Sequence, residues 1–143
     1  MAVHPAITPQ QWTPSATLPT KPESFAGVSA AEMLERARGL VPVFAERAAE
    51  CERQRRLLDD NERDLHRTGL FRIMQPARVG GPELDLRLML EVGTEIAKVC
   101  PSTAWNLGNL SSHHWLLGYF EPEIQEEIWG ASPDTLIATS LAF

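Results

Sequence analysis

Apolar residues recur every three to four positions through most of this chain, and that period predicts a series of α-helices. Ser29 and Glu32 have the spacing of a capping box, so the first helix is predicted to begin at this pair. Pro42 lies inside the first helix and predicts a kink or a restart there. Asp59 is the predicted N-cap of a second, short helix, and Gly69 supplies the left-handed residue that ends it.

Three more helices are predicted in the second half of the chain. Asp85 opens the third helix, and Ser102 caps a fourth that runs to about Gly118. Pro122 stands in the first turn of a short fifth helix, where a missing N–H breaks no hydrogen bond. Residues 71–83, between the second and third helices, contain Gly-Gly-Pro and are predicted to form a loop.

The two ends of the chain depart from this helical period. Residues 1–28 hold five prolines and no regular apolar spacing, which is typical of a disordered tail. Residues 135–143 alternate as a β-strand does, and a single strand cannot satisfy its own backbone groups. We therefore expect a mainly α protein with a tail at 1–28 and a helical domain at 29–134. Residues 135–143 would then be the start of a truncated β-domain whose other strands are missing.

Charge and composition narrow the possible partners. The 143 residues carry a net charge of −6, and a surface of that sign repels phosphate backbones, so no nucleic-acid partner is expected. No apolar run reaches the roughly 18 residues that cross a bilayer, so no membrane partner is expected either. Cys51 and Cys100 lack the spacing of metal ligands, and no secretory segment opens the chain. The sequence predicts a cytoplasmic protein without a metal site.

The fourth predicted helix carries the candidate chemistry. Successive residues are rotated by about 100°, which gives this helix a conventional core face and, opposite it, a mixed apolar and polar stripe. The stripe holds Trp105, Asn109, Ser112 and His113, and could line a cavity with an apolar wall and a few polar groups. His113 is best suited to acid–base chemistry, because imidazole titrates near neutrality. The alternatives are that His113 hydrogen-bonds a neighbouring carbonyl group in a helical interface and that Trp105 fills the core.

Two further histidines and two hydroxyl side chains near the end of the chain are the remaining groups with possible site chemistry. We expect His114 to pack or cap and His66 to face solvent on a charged helix. Adjacent histidines on a helix point about 100° apart, so His113 and His114 cannot chelate one ion. Thr139 and Ser140 lie near the end of the predicted strand, where small hydroxyl side chains let a planar ligand approach the backbone. The alternative is an ordinary strand whose hydroxyl groups are satisfied locally.

An ordered series of short motifs resembles the acyl-CoA dehydrogenase superfamily. The resemblance is strongest to its flavin-dependent monooxygenase branch, the oxygenase components of two-component aromatic hydroxylases. Each motif is weak alone, and their order along the chain carries the resemblance. The matching stretches are Glu46–Glu50, Asp64–Arg72, Gln75-Pro76 with Gly80-Gly81, Cys100–Trp105, His113, Gln125–Trp129 and Pro133-Asp134.

This resemblance implies the N-terminal helical domain of an enzyme that continues with a β-domain and a C-terminal helical bundle. It implies a monooxygenase that hydroxylates a phenolic or polycyclic aromatic substrate with O2, using reduced flavin (FMN or FAD) from a separate flavin reductase. By resemblance, His113 would contact the phenol, Trp105 would wall the substrate pocket, and Thr139 and Ser140 would face the flavin. The whole enzyme would be a homotetramer, and this chain alone would be inactive because most of the flavin site is missing.

Two alternatives stay open at this point. The first is a fragment of a true acyl-CoA dehydrogenase, whose catalytic glutamate would lie outside this chain. Against it, the motif Cys100–Trp105 and the residue His113 match the hydroxylase branch. The second is a non-catalytic helical module that only packs against a partner.

Overall fold

The computed structural model describes residues 23–139, which fold into five α-helices and two short 3-10 turns. This confirms the predicted mainly α fold and the number of helices. The helices are α1 (Ala30–Gln54), α2 (Asp59–Thr68), α3 (Leu86–Ala97), α4 (Pro101–Leu117) and α5 (Pro122–Trp129), and the 3-10 turns are Leu70–Arg72 and Ala77–Val79.

The two predicted ends fall partly outside the described residues. The structure assigns no β-strand within residues 23–139, and residues 135–139 there have no strand partner. Residues 140–143, which include Ser140, and residues 1–22 lie outside the described part of the chain. The disorder predicted for residues 23–28 is wrong, because Phe25 is buried and its backbone N–H donates to the carbonyl of Gly80 at 2.8 Å.

Three predicted helix termini are confirmed by their hydrogen bonds. The Ser29 side chain accepts from the backbone N–H of Glu32 at 3.2 Å, which starts α1. Asp85 does the same for α3, accepting from the N–H of Leu88 at 2.9 Å. Gly69 ends α2 with a φ of 77°, a left-handed conformation that glycine adopts without steric cost.

Two predicted N-caps are wrong, Asp59 by one residue and Ser102 by two, since the N-cap of α4 is Cys100. Asp59 is the first residue of α2 instead of its N-cap, which is Leu58, and its carboxylate accepts from the Arg56 guanidinium. A carboxylate in the first helical turn is still favourable, because it faces the positive end of the helix dipole. Helix α4 begins before Ser102, at Pro101, since proline fits the first helical position, where the backbone N–H has no intrahelical partner.

Helices α1 and α4 both pack against α3, and these contacts are the most extensive in the structure. Helix α1 continues through Pro42 as one helix, so the restart that Pro42 suggested does not occur. Full burial of each large apolar side chain contributes about 1.5–3 kcal/mol. No helix within residues 23–139 combines the length and apolar character that a membrane crossing requires. The core includes Phe44, Leu65, Phe71, Val92 and Leu107.

A buried charge pair fastens the segment after α5 to the helices. Arg72 is 1% exposed, and its Nη1 lies 3.1 Å from Oδ1 of Asp134 and 2.9 Å from the carbonyl oxygen of Glu23. Gln75 donates from Nε2 to the carbonyl of Pro133 at 2.8 Å. Burying two charges costs desolvation that offsets much of their attraction, so this pair fixes geometry more than it adds stability. It sets the starting point of residues 135–139, which run on toward α4.

Candidate functional site

Helix α4 turns the predicted core face toward the bundle. The Thr103 hydroxyl accepts from Nδ2 of Asn61 at 2.9 Å, which ties the start of α4 to α2. The side opposite this core face, which carries Trp105 and His113, points away from the bundle interior. The buried residues of α4 recur at three- and four-residue intervals and are Thr103, Leu107, Ser111, His114 and Leu117.

His113 contacts Thr139 across 26 residues of sequence. The Nε2 atom of His113 lies 2.8 Å from the Thr139 hydroxyl and 3.2 Å from the Thr139 backbone nitrogen. The other ring nitrogen, Nδ1, lies 2.6 Å from the backbone carbonyl oxygen of Asn109, one turn earlier in α4. The structure therefore brings together two of the predicted site residues, and it also contains the carbonyl contact of the alternative interpretation.

Trp105 is separated from this pair. Its side chain is 75% exposed, so it does not fill the core of the described residues. It lines a groove of about 640 Å³ together with Cys51, Arg55 and Arg56, and His113 is not among the residues of that groove. Within residues 23–139, the groove that Trp105 lines therefore does not include the contact between His113 and Thr139.

Large apolar side chains are exposed on the C-terminal half of α4 and beyond. Tyr119 is 74% exposed, and Trp115 packs edge-on against it with ring centroids 5.2 Å apart. Exposed apolar patches of this kind mark surfaces that contact other protein or ligands. The other members are Leu116, Phe120 and Ile124.

His114 is buried directly beside the outward-facing His113. Its Nε2 lies 3.2 Å from the carbonyl oxygen of Thr135, and its ring meets Trp129 edge to face with centroids 5.6 Å apart. The pKa of His114 is lowered to about 4, mainly by burial, with the positive charge of Arg72 adding to this effect and the hydrogen bond to the Thr135 carbonyl opposing it. His114 therefore packs, as the sequence predicted.

His66 is buried, and the prediction that it faces solvent is wrong. Its ring lies 4.9 Å from that of Phe71, and burial lowers the pKa of His66 below its ordinary value. Arg63 and Arg67 on the same helix are exposed, so the charged local sequence describes the outer face of α2 only. The missed signal is the position of His66 next to Leu65, at the buried edge of the helix.

The sequence did not predict the groups that position His113 and Thr139. The Arg72–Asp134 pair joins residues 62 positions apart, and the Asn109 carbonyl is a backbone group that any residue could supply. The one available signal was a charged Arg72 inside an otherwise apolar run at 70–74, which indicates a buried ion pair. In the described part of the chain, no three histidine, cysteine or acidic side chains cluster as metal ligands would.

The fold identifies the class of protein. It is the N-terminal helical part of an acyl-CoA dehydrogenase-like fold, as seen in flavin-dependent monooxygenases. The crystal structure of 3-HSA hydroxylase from Rhodococcus sp. RHA1 matches with a TM-score of 0.75 and 38% identity, over 78% of this chain and 29% of that one. No protein-family model matches the chain.

Curated relatives agree with the structural match. The flavin-dependent monooxygenase oxygenase subunit HsaA of Rhodococcus jostii is 38% identical over 109 residues, 76% of this chain and 28% of that protein. The oxygenase component of the FADH(2)-dependent resorcinol hydroxylase from a Rhizobium species is 33% identical over 110 residues, 77% of this chain and 27% of that protein. The chain thus spans little more than a quarter of these relatives. It belongs to the family of flavin-dependent monooxygenase oxygenase components.

Proposed function

We propose that this chain forms the N-terminal helical domain of a reduced-flavin-dependent monooxygenase that hydroxylates a phenolic or polycyclic aromatic substrate with O2. The contact between His113 and Thr139 carries the proposal, because it places an imidazole and a hydroxyl group together at the outer side of α4. The family supports the reaction class, since one relative is named a resorcinol hydroxylase, and resorcinol is a phenol.

In this proposal His113 binds the hydroxyl group of the substrate. An imidazole can take up the phenolic proton, which raises the electron density of the aromatic ring. A bound reduced flavin would supply the electrons for the reaction with O2, and O2 would be the source of the oxygen atom in the product. Thr139 is exposed, so a planar ring can approach its main chain and hydroxyl group, and Ser140 follows it in sequence. We propose these two residues as flavin contacts, with either FMN or FAD, and Trp105 as a wall of the substrate pocket.

The proposal extends to the organisation of the whole protein. Residues 29–134 form the helical domain, and residues 135–143 lead into a β-domain. Because the chain spans 28% of the Rhodococcus jostii relative, we expect catalysis to require segments equivalent to the rest of that protein. A flavin reductase supplies the reduced flavin, the complete enzyme is a homotetramer, and it works in the cytoplasm.

A hybrid protein tests the proposal. Residues 23–143 replace the matching part of the Rhodococcus jostii relative, and the hybrid is supplied with chemically reduced flavin and a panel of phenols. We expect O2 consumption with formation of a hydroxylated product. A hybrid that folds and binds flavin, yet forms no hydroxylated product from any phenol on which the intact relative is active, would contradict the proposal.

His113→Ala in the hybrid tests the assigned role. Loss of an acid–base group costs about 100-fold or more in rate, so we expect product formation to fall by that factor while reduced-flavin binding is retained. Glu127→Ala is the matched control, because Glu127 is an exposed residue of α5 outside the site. Equal losses of flavin binding and hydroxylation in His113→Ala would show that His113 only supports the fold.

The exposed apolar residues favour a second candidate function, a helical module that binds a protein partner. Trp115, Tyr119 and Phe120 are each at least 46% exposed, more than a self-contained surface requires. Oxygen consumption separates the two functions: a pure interaction module would leave the hybrid folded but inactive. Substituting Tyr119 with Ser should then weaken self-association or partner binding without changing the helical content of the chain.

A further inference from the structure

The hydrogen bonds of His113 determine which of its ring nitrogens carries the proton. The Asn109 carbonyl oxygen, 2.6 Å from Nδ1, can only accept a hydrogen bond. A hydrogen bond at that distance therefore requires a proton on Nδ1. A neutral imidazole has one N–H, so the Nε2 atom of neutral His113 must present its lone pair.

The contacts of Nε2, on the other side of the ring, independently indicate the same tautomer. The backbone nitrogen of Thr139, 3.2 Å from Nε2, can only donate. The Thr139 hydroxyl lies 2.8 Å from the same atom and can donate as well. The backbone contact requires Nε2 to be unprotonated, and the hydroxyl group, which can donate or accept, is compatible with that state. The Asn109 carbonyl and the Thr139 backbone N–H, on separate segments of the chain, therefore both select the Nδ1–H tautomer. Histidine free in water prefers the opposite form, with the proton on Nε2.

The neighbouring His114 provides an internal contrast. Its Nε2 faces the carbonyl oxygen of Thr135 at 3.2 Å, and a carbonyl requires a donor there. Its Nδ1 has no hydrogen-bond partner within the described residues, which fits an unprotonated nitrogen. Two successive residues of α4 are thus held as opposite tautomers, His114 with a buried N–H and His113 with an outward lone pair.

We infer that the main chain holds His113 as the Nδ1–H tautomer, and that Thr139 occupies the Nε2 lone pair until a substrate hydroxyl group replaces it. This inference rests on the proposed function for the identity of the substrate only. The ligand must then bring an O–H group, as a free phenol does and its methyl ether does not. On proton transfer, the phenol O–H bond breaks and an Nε2–H bond forms. The product is a phenolate and an imidazolium ion whose Nδ1–H stays on the Asn109 carbonyl.

Nitrogen NMR of the whole chain tests the tautomer without any turnover. The chain is labelled with 15N-histidine, and long-range proton–nitrogen spectra are recorded above neutral pH. We expect His113 to show a protonated, pyrrole-type Nδ1 and a pyridine-type Nε2, with the reverse assignment for His114 in the same spectrum. A pyrrole-type Nε2 in His113 would overturn the inference, whatever activity the hybrid enzyme shows.

A pair of threonine variants tests the role of Thr139. Thr139→Val keeps the side-chain shape and the backbone N–H but removes the hydroxyl group, so the Nε2 signal of His113 should move while the tautomer is retained. Thr135→Val is the control, because the Thr135 hydroxyl donates to the carbonyl of Ser132 and does not contact His113. An Nε2 signal that is the same in Thr139→Val and in the unchanged chain would contradict the assignment of the Thr139 hydroxyl to this nitrogen.

Discussion

Acidification should destabilise the folded chain through His114. This side chain is fully buried, and its Nδ1 finds no hydrogen-bond partner among residues 23–139. A charged imidazolium there would lose its hydration and would lie near the positive Arg72, so the folded state resists protonation. Burial lowers the pKa of His114 from the ordinary 6.5 to about 4.

The direction of the pH effect on stability follows from the number of protons that His114 binds in the folded and unfolded states. Between pH 6.5 and about 4 the unfolded chain binds a proton at His114 and the folded chain does not. Unfolding therefore becomes more favourable as the pH falls through this window. The free energy of unfolding should decrease by about 1.4 kcal/mol for each pH unit and by about 3 kcal/mol in total, and the loss levels off below pH 4.

Urea unfolding at a series of pH values from 7.5 to about 4 measures this loss, with tryptophan fluorescence and circular dichroism as probes. The control is His114→Leu, which removes the titrating group. Contributions of the carboxylates and of His66, whose pKa is also lowered by burial, are present in both proteins and cancel in the comparison. If the two proteins lost stability with the same dependence on pH, the reasoning about His114 would be refuted.

Four further predictions concern other parts of the molecule. Arg72→Met leaves the Asp134 carboxylate buried without its partner, so urea unfolding should show a free energy of unfolding lower by about 3–5 kcal/mol. Asp134→Asn should also lower the stability, and an unchanged stability in that variant would contradict the argument. Gly81→Ala should be strongly destabilising, because an added Cβ would lie 2.1 Å from a backbone oxygen. Gly39→Ala, in the open interior of α1, should raise stability by about 1 kcal/mol, and a loss there would contradict the helix-propensity argument. Trp105→Phe in the hybrid enzyme should weaken substrate binding and leave the thermal midpoint unchanged, since Trp105 is 75% exposed; a lowered midpoint alone would assign Trp105 a structural role.

Local signals in the sequence predicted the helices well. Capping at Ser29 and Asp85 and the left-handed Gly69 depend on residues within one turn of each other, so their chemistry can be read directly from the chain. Asp59 failed because a neighbouring arginine competes for its carboxylate, and both outcomes are compatible with the same short sequence. The helix period alone does not decide such competitions.

Contacts between residues that are distant in the sequence could not be predicted from it. The burial of His66 depends on the position of Phe71 after the turn at Gly69, and the contact of His113 with Thr139 depends on the path of the chain after α5. The sequence identified His113 and Thr139 as candidates by residue type and by family resemblance. It gave no basis for expecting a direct hydrogen bond between them, because tertiary packing sets the conformation of the chain between these two residues, which are 26 positions apart.

The path of that segment links the fold to the candidate site. Arg72 binds Asp134, and the next contact along the chain is between His114 and the carbonyl of Thr135. These two anchors precede Thr139 by only five and four residues, so they limit how far Thr139 can move from His113. Arg72→Met should therefore perturb the Nε2 signal of His113 as well as global stability, although Arg72 is not among the hydrogen-bond partners of the imidazole. The buried ion pair, whose net contribution to stability is small, is then best understood as a device that positions Thr139.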